Sequence, residues 1–589
     1  HVVNIDSVGA LTLNPNMTVS LRAVMTPWYR TDVKLKWQSS NESVATVDED
    51  GNLVAVSKGA AYITVEAEGY ARLKKSFRVS VNSEFRVTNY ILYNYYGGEE
   101  CRIPDNLNVS ALDEDCFRNN KTVKRIILPK TLTQIPANAF VGCDNLEYIE
   151  INSQCTVIGS GAFEGCKNLK TIVFRKFADR NGKESDLPGT ISIGKAAFRN
   201  CVNLSQIENE QRITAIHESA FEGCSSLTSI DIRQLRFSGK NAFAKCTSLT
   251  TVQASKNTSL GEGMFSGCTG LTSFEYPGDY LPATIFNNCR KLTSIRFTSE
   301  NFRGIGERAL ANTGIRTITL PNGSYSIGKG AFNSCTKLET VQLSDNTVLL
   351  GLSEAPFEKC NRMTAFEISA NNQNYKVIDG LLLNSDCTEL VAVPFGKTGI
   401  SQASLPSTVK SLASGVFSGI RGITEWNFKG FTSVGAYAFA GSGLTTVDLN
   451  GMTELPEGIF SGCDKLTTVT GTESLVTIGK SAFAACLKLN SLSLPALKNI
   501  EANAFASSGL TSITAPLTER VGMSAFESTK LAEINFPHLT TLDYRAFATM
   551  PELRKVILGD VTSMESYVFS ACPKLEEATF GEGTTIVGN

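Results

Sequence analysis

The chain has little of what a reaction centre needs. Only three histidines, His1, His217 and His538, occur in 589 residues, so a general base or metal site would have to be built almost without imidazole. Charge of one sign is missing too. Lys and Arg number 55 against 57 Asp and Glu, a formal net charge of −2, which argues against a general polyanion binder, since nucleic-acid affinity rests on clustered positive charge. No apolar run reaches the roughly 18 residues of a membrane span, and the opening HVVNIDSVGA has neither the basic start nor the apolar stretch of an export signal. There is no Gly-x-Ser-x-Gly elbow and no Walker loop. GIGERA, from Gly304 to Ala309, copies part of a dinucleotide fingerprint but falls in a repeated corner. DEDGN, from Asp48 to Asn52, has calcium-like oxygens without the closing Glu of an EF-hand loop, and reads as a solvated hairpin turn. These absences predict no enzyme, no cofactor and no metal.

What the chain does have is one phrase said many times. At 42% hydrophobic and 19% charged residues it is a folding sequence. AFEGCKNLKTIVF (Ala162 to Phe174) returns as AFEGCSSLTSIDI (Ala220 to Ile232). The Phe position runs through Phe117, Phe140, Phe163, Phe198, Phe221, Phe243, Phe265, Phe286, Leu310, Phe332 and Phe357. After a gap of 60 residues it continues through Phe417, Phe439, Phe460, Phe483, Phe505, Phe526, Phe547 and Phe569, mostly 21 to 23 apart. A fixed period of this length is the mark of a solenoid, because one unit cannot bury its two flanks alone.

The two halves of a unit have different periods. Ala-Phe-x-x-Cys-x-x-Leu is spaced by three, which predicts a short helical or 3₁₀ turn. Leu-x-x-Ile-x-Leu ends in alternation, which predicts a strand with one face inward. Glycine four places before Phe (Gly159, Gly194, Gly328, Gly435, Gly479) is expected to permit a tight corner. His217 stands at that place in its own unit and is expected at the surface.

Together, Cys-x-x-Leu-x-x-Ile-x-Leu-Pro followed by Ile-Gly-x-x-Ala-Phe-x-x-Cys resembles the BspA-like leucine-rich repeats of bacterial surface proteins. The resemblance covers residues from about 85 to the end. Asn374 to Lys397 is similar to the hairpin unit that family inserts, with Asp379-Gly380 as its turn. The Cys place departs from the pattern at Asn120, Thr313, Ile420, Ser442, Ser508, Thr529 and Met550. The first stretch is different. Its alternating strings, with Trp37 as core plug and a hairpin at Asp50-Gly51, read as a small β-sandwich. In Trp37, Ser39-Ser40-Asn41, Val44 to Val47, Gly51 and Gly59 it resembles bacterial immunoglobulin-like group 2 domains. The expected architecture is an all-β immunoglobulin-like sandwich over 1–82, then a leucine-rich-repeat solenoid over 83–589 with a hairpin insertion around 366–400.

Of sixteen cysteines, twelve fall three residues after the Phe place. Spacings near 22 match no metal pair, and neighbours one strand apart sit about 4.8 Å from each other, beyond disulfide reach. They are expected as buried free thiols, small apolar plugs.

The remaining candidate is the outward face of the repeated strand. There Tyr148, Glu150, Gln206, Glu208, Asp231, Gln253, Glu275 and Arg296 form a ribbon with an acidic bias in the first half. One reading makes it a solvated face that blocks edge pairing; the other makes it a protein-binding surface. A charged insertion with Lys176, Asp179, Arg180, Lys183, Glu184 and Asp186 is expected to project as a second contact. The family resemblance implies an exported, extracellular or cell-surface, adhesin-like protein. Its expected partner is an extracellular protein of the matrix or of another cell. Two alternatives stand beside this: a structural stalk without a specific ligand, and a glycan-binding accessory protein.

Overall fold

A computed structural model describes residues 4–6, 10–26, 33–70, 72–176, 190–352 and 355–585. Two compact units divide the chain, His1–Gly270 and Leu271–Asn589. In the first unit, two sheets face each other at the N-terminal end. One runs Leu11–Leu13, Lys74–Val81, Gly59–Ala67, Leu35–Ser39; the other runs Thr18–Ser20, Asn52–Ala55, Ala45–Val47. Alternation sends Leu13, Ala45, Leu53, Ala61, Ile63, Phe77 and Val79 between them. Trp37 is half-buried and lies over Gly51, whose Cβ, if present, would come within 3.1 Å of the indole. Asp48 ties the hairpin turn by accepting from the Asp50 and Asn52 amides at 3.0 and 2.8 Å. Oδ1 is thus spent on the backbone and Oδ2 on the Asn52 side-chain amide at 2.9 Å, and no metal-holding cluster occurs among the described residues.

Repeats follow in both units. Each contributes a strand to two parallel ladders. In the first unit the outward ribbon is Glu100–Arg102, Arg125–Ile127, Tyr148–Ile151, Thr171–Phe174 and Gln206–Glu208. The second ladder is Gln134–Ile135, Val157–Ile158, Ile191–Ile193, Ile213–Ile216 and Phe237–Ser238. Between them lies the Ala-Phe segment. It carries i→i+3 bonds, as from the Cys143 amide to the Phe140 carbonyl and from the Leu146 amide to the Cys143 carbonyl, both 3.1 Å. It does not become a helix, because from Phe140 onward the residues two before and two after each Phe place have positive φ. Asn138 (57°) and Gly142 (81°) flank Phe140; Gly161 (62°) and Gly165 (74°) flank Phe163. Two left-handed residues per turn swing alternate amides onto the neighbouring repeat. Gly161, Phe163 and Gly165 donate to the carbonyls of Lys195, Ala197 and Arg199 at 2.7–2.8 Å.

The glycine four places before Phe has a different task from the one expected. Gly159, Gly194, Gly328, Gly435 and Gly479 do not have positive φ. They lie against backbone: a Cβ on Gly159 would stand 2.5 Å from the Ala137 amide nitrogen, and one on Gly435 2.3 Å from that of Ser414. The absent side chain allows one turn to approach the next. His217 is exposed, as its corner place required, and its ring lies 5.0 Å from Phe237.

Inside, the phenylalanines form a column. Ring centroids from Phe140 to Phe163, Phe198, Phe221 and Phe243 are 4.6, 4.9, 5.1 and 5.2 Å apart, within 11° of parallel, and every one of these rings is fully buried. Beside the column run the cysteines, all free. They are more than plugs. In the repeated position the thiol donates to the carbonyl of the Phe place one repeat back, as from Cys166 to Phe140 at 3.2 Å, Cys201 to Phe163 at 3.1 Å and Cys224 to Phe198 at 3.2 Å. That carbonyl already accepts its own turn's amide, so the thiol fills its second lone pair. Burial pushes the Cys143 and Cys246 thiols up to about 12 and the Cys224 thiol well above the ordinary value.

In the second unit the same ladders recur, and a hairpin interrupts them. Tyr375–Ile378 and Leu381–Asn384 pair antiparallel around Asp379 (φ 49°) and Gly380 (φ 74°), the double left-handed turn that Asp-Gly favours. Their sheet continues through Glu389–Ala392, Ser411–Leu412 and Ser433–Val434.

Candidate functional site: the outward ribbon

Register decides what the ribbon presents. In the first unit Glu100, Arg125, Tyr148, Thr171 and Gln206 form one outward rung; Arg102, Ile127, Glu150, Val173 and Glu208 form the next. Between them Cys101, Ile126, Ile149 and Ile172 are buried. The parallel ladder holds neighbouring side chains one strand spacing apart, about 4.8 Å.

The acids do not make an acidic field. Glu150 is only 7% exposed. It is closed over by Arg175, whose Nε donates to Oε1, and by Tyr148, whose hydroxyl donates to Oε2 at 3.2 Å. Tyr148 in turn lies under Arg125, with the guanidinium carbon 3.7 Å from the ring centroid. Its hydroxyl pKa is raised, by burial first and by the Glu150 charge second. Asp231 is 8% exposed and is gripped by Arg233, Nε to Oδ1 at 3.0 Å and Nη2 to Oδ2 at 2.7 Å. Burial pushes the Asp231 pKa up, but the Arg233 hydrogen bonds outweigh it and the net direction is down. In the second unit Glu275 pairs with Arg296 at 3.4 Å, both well exposed. Gln206, Glu208 and Gln253 are exposed, Gln206 accepting from the Thr171 hydroxyl at 3.3 Å. Glu208 forms no ion pair among the described residues.

Arg125, Arg175 and Arg233 are the ribbon residues that sequence reasoning missed. Arg233 was within reach, two places after Asp231 in the turn that follows the strand. Arg175 is 25 residues from Glu150 and needed the fold. It also lines a cleft of 560 Å³ at the strand ends, with Arg102, Asp105, Lys130, Glu150 and Lys176. Three of its lining residues, Asn152, Ser153 and Arg175, are tied together by Arg212, buried, whose guanidinium donates to their carbonyls and to that of Cys155 at 2.9–3.1 Å. Lys176 is exposed at the start of the charged insertion. Asp179, Arg180, Lys183, Glu184 and Asp186 lie outside the described residues.

Parallel ladders coiled around a phenylalanine column, with polar rungs outward, define a leucine-rich-repeat solenoid, a fold that serves typically as a binding scaffold. The chain belongs to the BspA-type leucine-rich-repeat family, whose model matches residues 86–183, 175–282, 278–378, 388–511 and 498–589. A bacterial Ig-like domain of group 2 matches residues 3–69. No curated protein matches the sequence. Among solved structures, the chain is similar to a leucine-rich repeat protein from Bacteroides ovatus, at 21% identity over 86% of this chain and 97% of that one, TM-score 0.33. It is also similar to a leucine rich cell surface protein from Faecalibacterium prausnitzii, at 19% identity over 73% and 92%, TM-score 0.29. No helix among the described residues is long and apolar enough to cross a membrane.

Proposed function

We propose that this is an exported bacterial surface protein, adhesin-like in action, that binds extracellular proteins of a matrix or of another cell through its outward ribbon. One observation carries the reading: within each sheet the exposed rungs are fixed by a backbone ladder, so many polar contacts can form with little ordering cost. Because arginines neutralise Glu150 and Asp231, the contact residues are Gln206, Glu208 and Gln253 in the first unit and, taken by themselves, Glu275 and Arg296 in the second, and recognition rests on hydrogen bonding and scattered charge rather than on an acidic field. Glu150 and Asp231 shape the ribbon from beneath, with Tyr148. The charged insertion from Lys176 to Asp186 stays a candidate second contact. The reading is tested on an array of purified matrix proteins and glycans. Glu208→Lys with Gln253→Ala is expected to weaken a protein signal at least tenfold with the melting temperature unchanged. No protein signal at all would leave the stalk reading standing.

The glycan alternative has one observation of its own. Tyr544 and Tyr567 of the second unit are 37% and 66% exposed and meet edge to face at 5.8 Å, a surface on which a sugar ring could stack. Loss of a glycan signal in Tyr567→Ala would favour it.

A further inference from the structure

The hairpin of the second unit leaves a strand edge open. Outward strands run Thr317–Leu320, Thr340–Leu343, Ala365–Ile368, and then restart as Glu425–Asn427, Thr446–Asp448, Thr468–Thr470. Glu425–Asn427 has a strand on one side only. Where the missing strand would lie, the chain from Gly399 to Ala403 forms a wall with the 3₁₀ segment Gln402–Ser404.

The register shows which backbone groups face that gap. Residues 424, 426 and 428 bond to the strand Thr446–Asp448, as in the Thr446 amide to the Thr424 carbonyl and the Phe428 amide to the Asp448 carbonyl. Glu425 and Asn427 therefore point the other way. Asn427 is answered by a side chain that imitates a peptide. The Gln402 amide Nε2 donates to the Asn427 carbonyl at 2.8 Å, and its Oε1 accepts from the Asn427 amide at 3.0 Å. One place along, the amide and carbonyl of Glu425 have no partner among the described residues.

Gln402 thus demonstrates, for one residue, what an added strand would do, and stops short of Glu425. The groove beside it measures 860 Å³ and is lined by Gly399, Ser401, Gly422, Thr424, Glu425 and Asp448, among others, with no Lys, Arg or His. The small residues leave room for a backbone, and two carboxylates stand with no cation in the lining. Glu425 is exposed; among the described residues Asp448 accepts only from the Asn427 amide side chain at 2.9 Å and from the Asn450 backbone at 3.1 Å.

We propose that this edge docks an extended, basic segment of another polypeptide, which adds a short strand at Glu425 and sets a Lys or Arg between Glu425 and Asp448. A second copy of this chain fits poorly, since its own edge would bring Glu425 against Glu425. The proposal stands apart from the ribbon reading, which rests on paired strands and on other residues.

The test pans displayed random dodecapeptides against the intact chain. Selected peptides are expected to carry Lys or Arg and to lose at least about tenfold in affinity with Glu425→Pro and with Glu425→Lys, but not with Glu208→Lys. Proline removes an amide that makes no bond within the chain, so the fold is expected to hold; Glu425→Lys leaves the backbone whole and serves if it does not. The Glu425 amide is expected to become protected from hydrogen exchange when peptide binds. The proposal is overturned if no peptide is selected, if binders ignore both variants, if they lack basic residues, or if Glu425→Pro abolishes self-association of the chain instead.

Discussion

The repeats of the first unit and the last repeats of the second follow one pattern with different care. From Phe140 to Phe243 the ring centroids are 4.6 to 5.2 Å apart and nearly parallel. From Phe439 to Phe569 they are 6.1, 5.4, 5.5, 5.1, 5.5 and 5.7 Å apart. Thiols change in parallel. Cys143, Cys166, Cys201, Cys224, Cys246 and Cys268 each donate to a carbonyl one repeat back. In the later stretch Cys463, Cys486 and Cys572 still do so, but Thr529 turns its hydroxyl to the carbonyl of its own Phe526 at 2.9 Å, and the buried Ser508 hydroxyl has no partner among the described residues. Serine and threonine keep the donor but lose the reach of sulfur. The difference teaches that the cysteine place is a hydrogen-bond position linking repeats, and not merely a small apolar one.

The comparison can be broken first at the rings. Phe163→Ala, with rings at 4.6 and 4.9 Å on its two sides, is expected to cost about 4–5 kcal/mol, and Phe547→Ala, with column neighbours at 5.5 and 5.7 Å, nearer 3 kcal/mol; urea unfolding followed by fluorescence measures both. Equal losses would mean that ring spacing does not matter.

Next comes alkali. Buried thiols have a raised pKa in the folded chain, so they keep their protons while those of the unfolded chain ionise. Their contribution is whole below the unfolded value near 9 and is lost as pH rises toward the folded value of about 12 at Cys143 and Cys246. Each such thiol is expected to remove about 1.4 kcal/mol per pH unit, so the thiol-rich first stretch should unfold before the last repeats as pH is raised from 9 to 11. Segment-resolved hydrogen exchange over that range reads the order.

The smallest effect is a repair. Ser508→Cys puts sulfur where it can reach the Phe483 carbonyl, and is expected to add about 1 kcal/mol in the same urea assay. A neutral or destabilising result would show that Ser508 is set by volume alone.

Much of this was legible in the letters. The Phe period gave the column, Leu-x-x-Ile-x-Leu the ladders, and Asp379-Gly380 the hairpin, because each is a local pattern repeated or a turn with one common solution. The paired left-handed positions were present as Gly142, Gly165, Asn200 and Gly223 two places after Phe, a signal masked by attention to the glycine four places before it. That glycine's real task, close approach between turns, depends on atoms some twenty residues away. So does the burial of Glu150 by Arg175. The open edge at Glu425 was hidden for the opposite reason: it arises where residues 395–403 break the pattern, and a broken pattern does not say what fills the space.

Linkage between repeats, carried by stacked rings and thiol donors, is what holds the outward rungs in place. Native-state hydrogen exchange tests it most directly. The amides of Phe163, Phe198 and Phe221 are expected to exchange at least tenfold more slowly than those of Phe505, Phe526 and Phe547. Equal protection in the two stretches, or the reverse order, would contradict the claim.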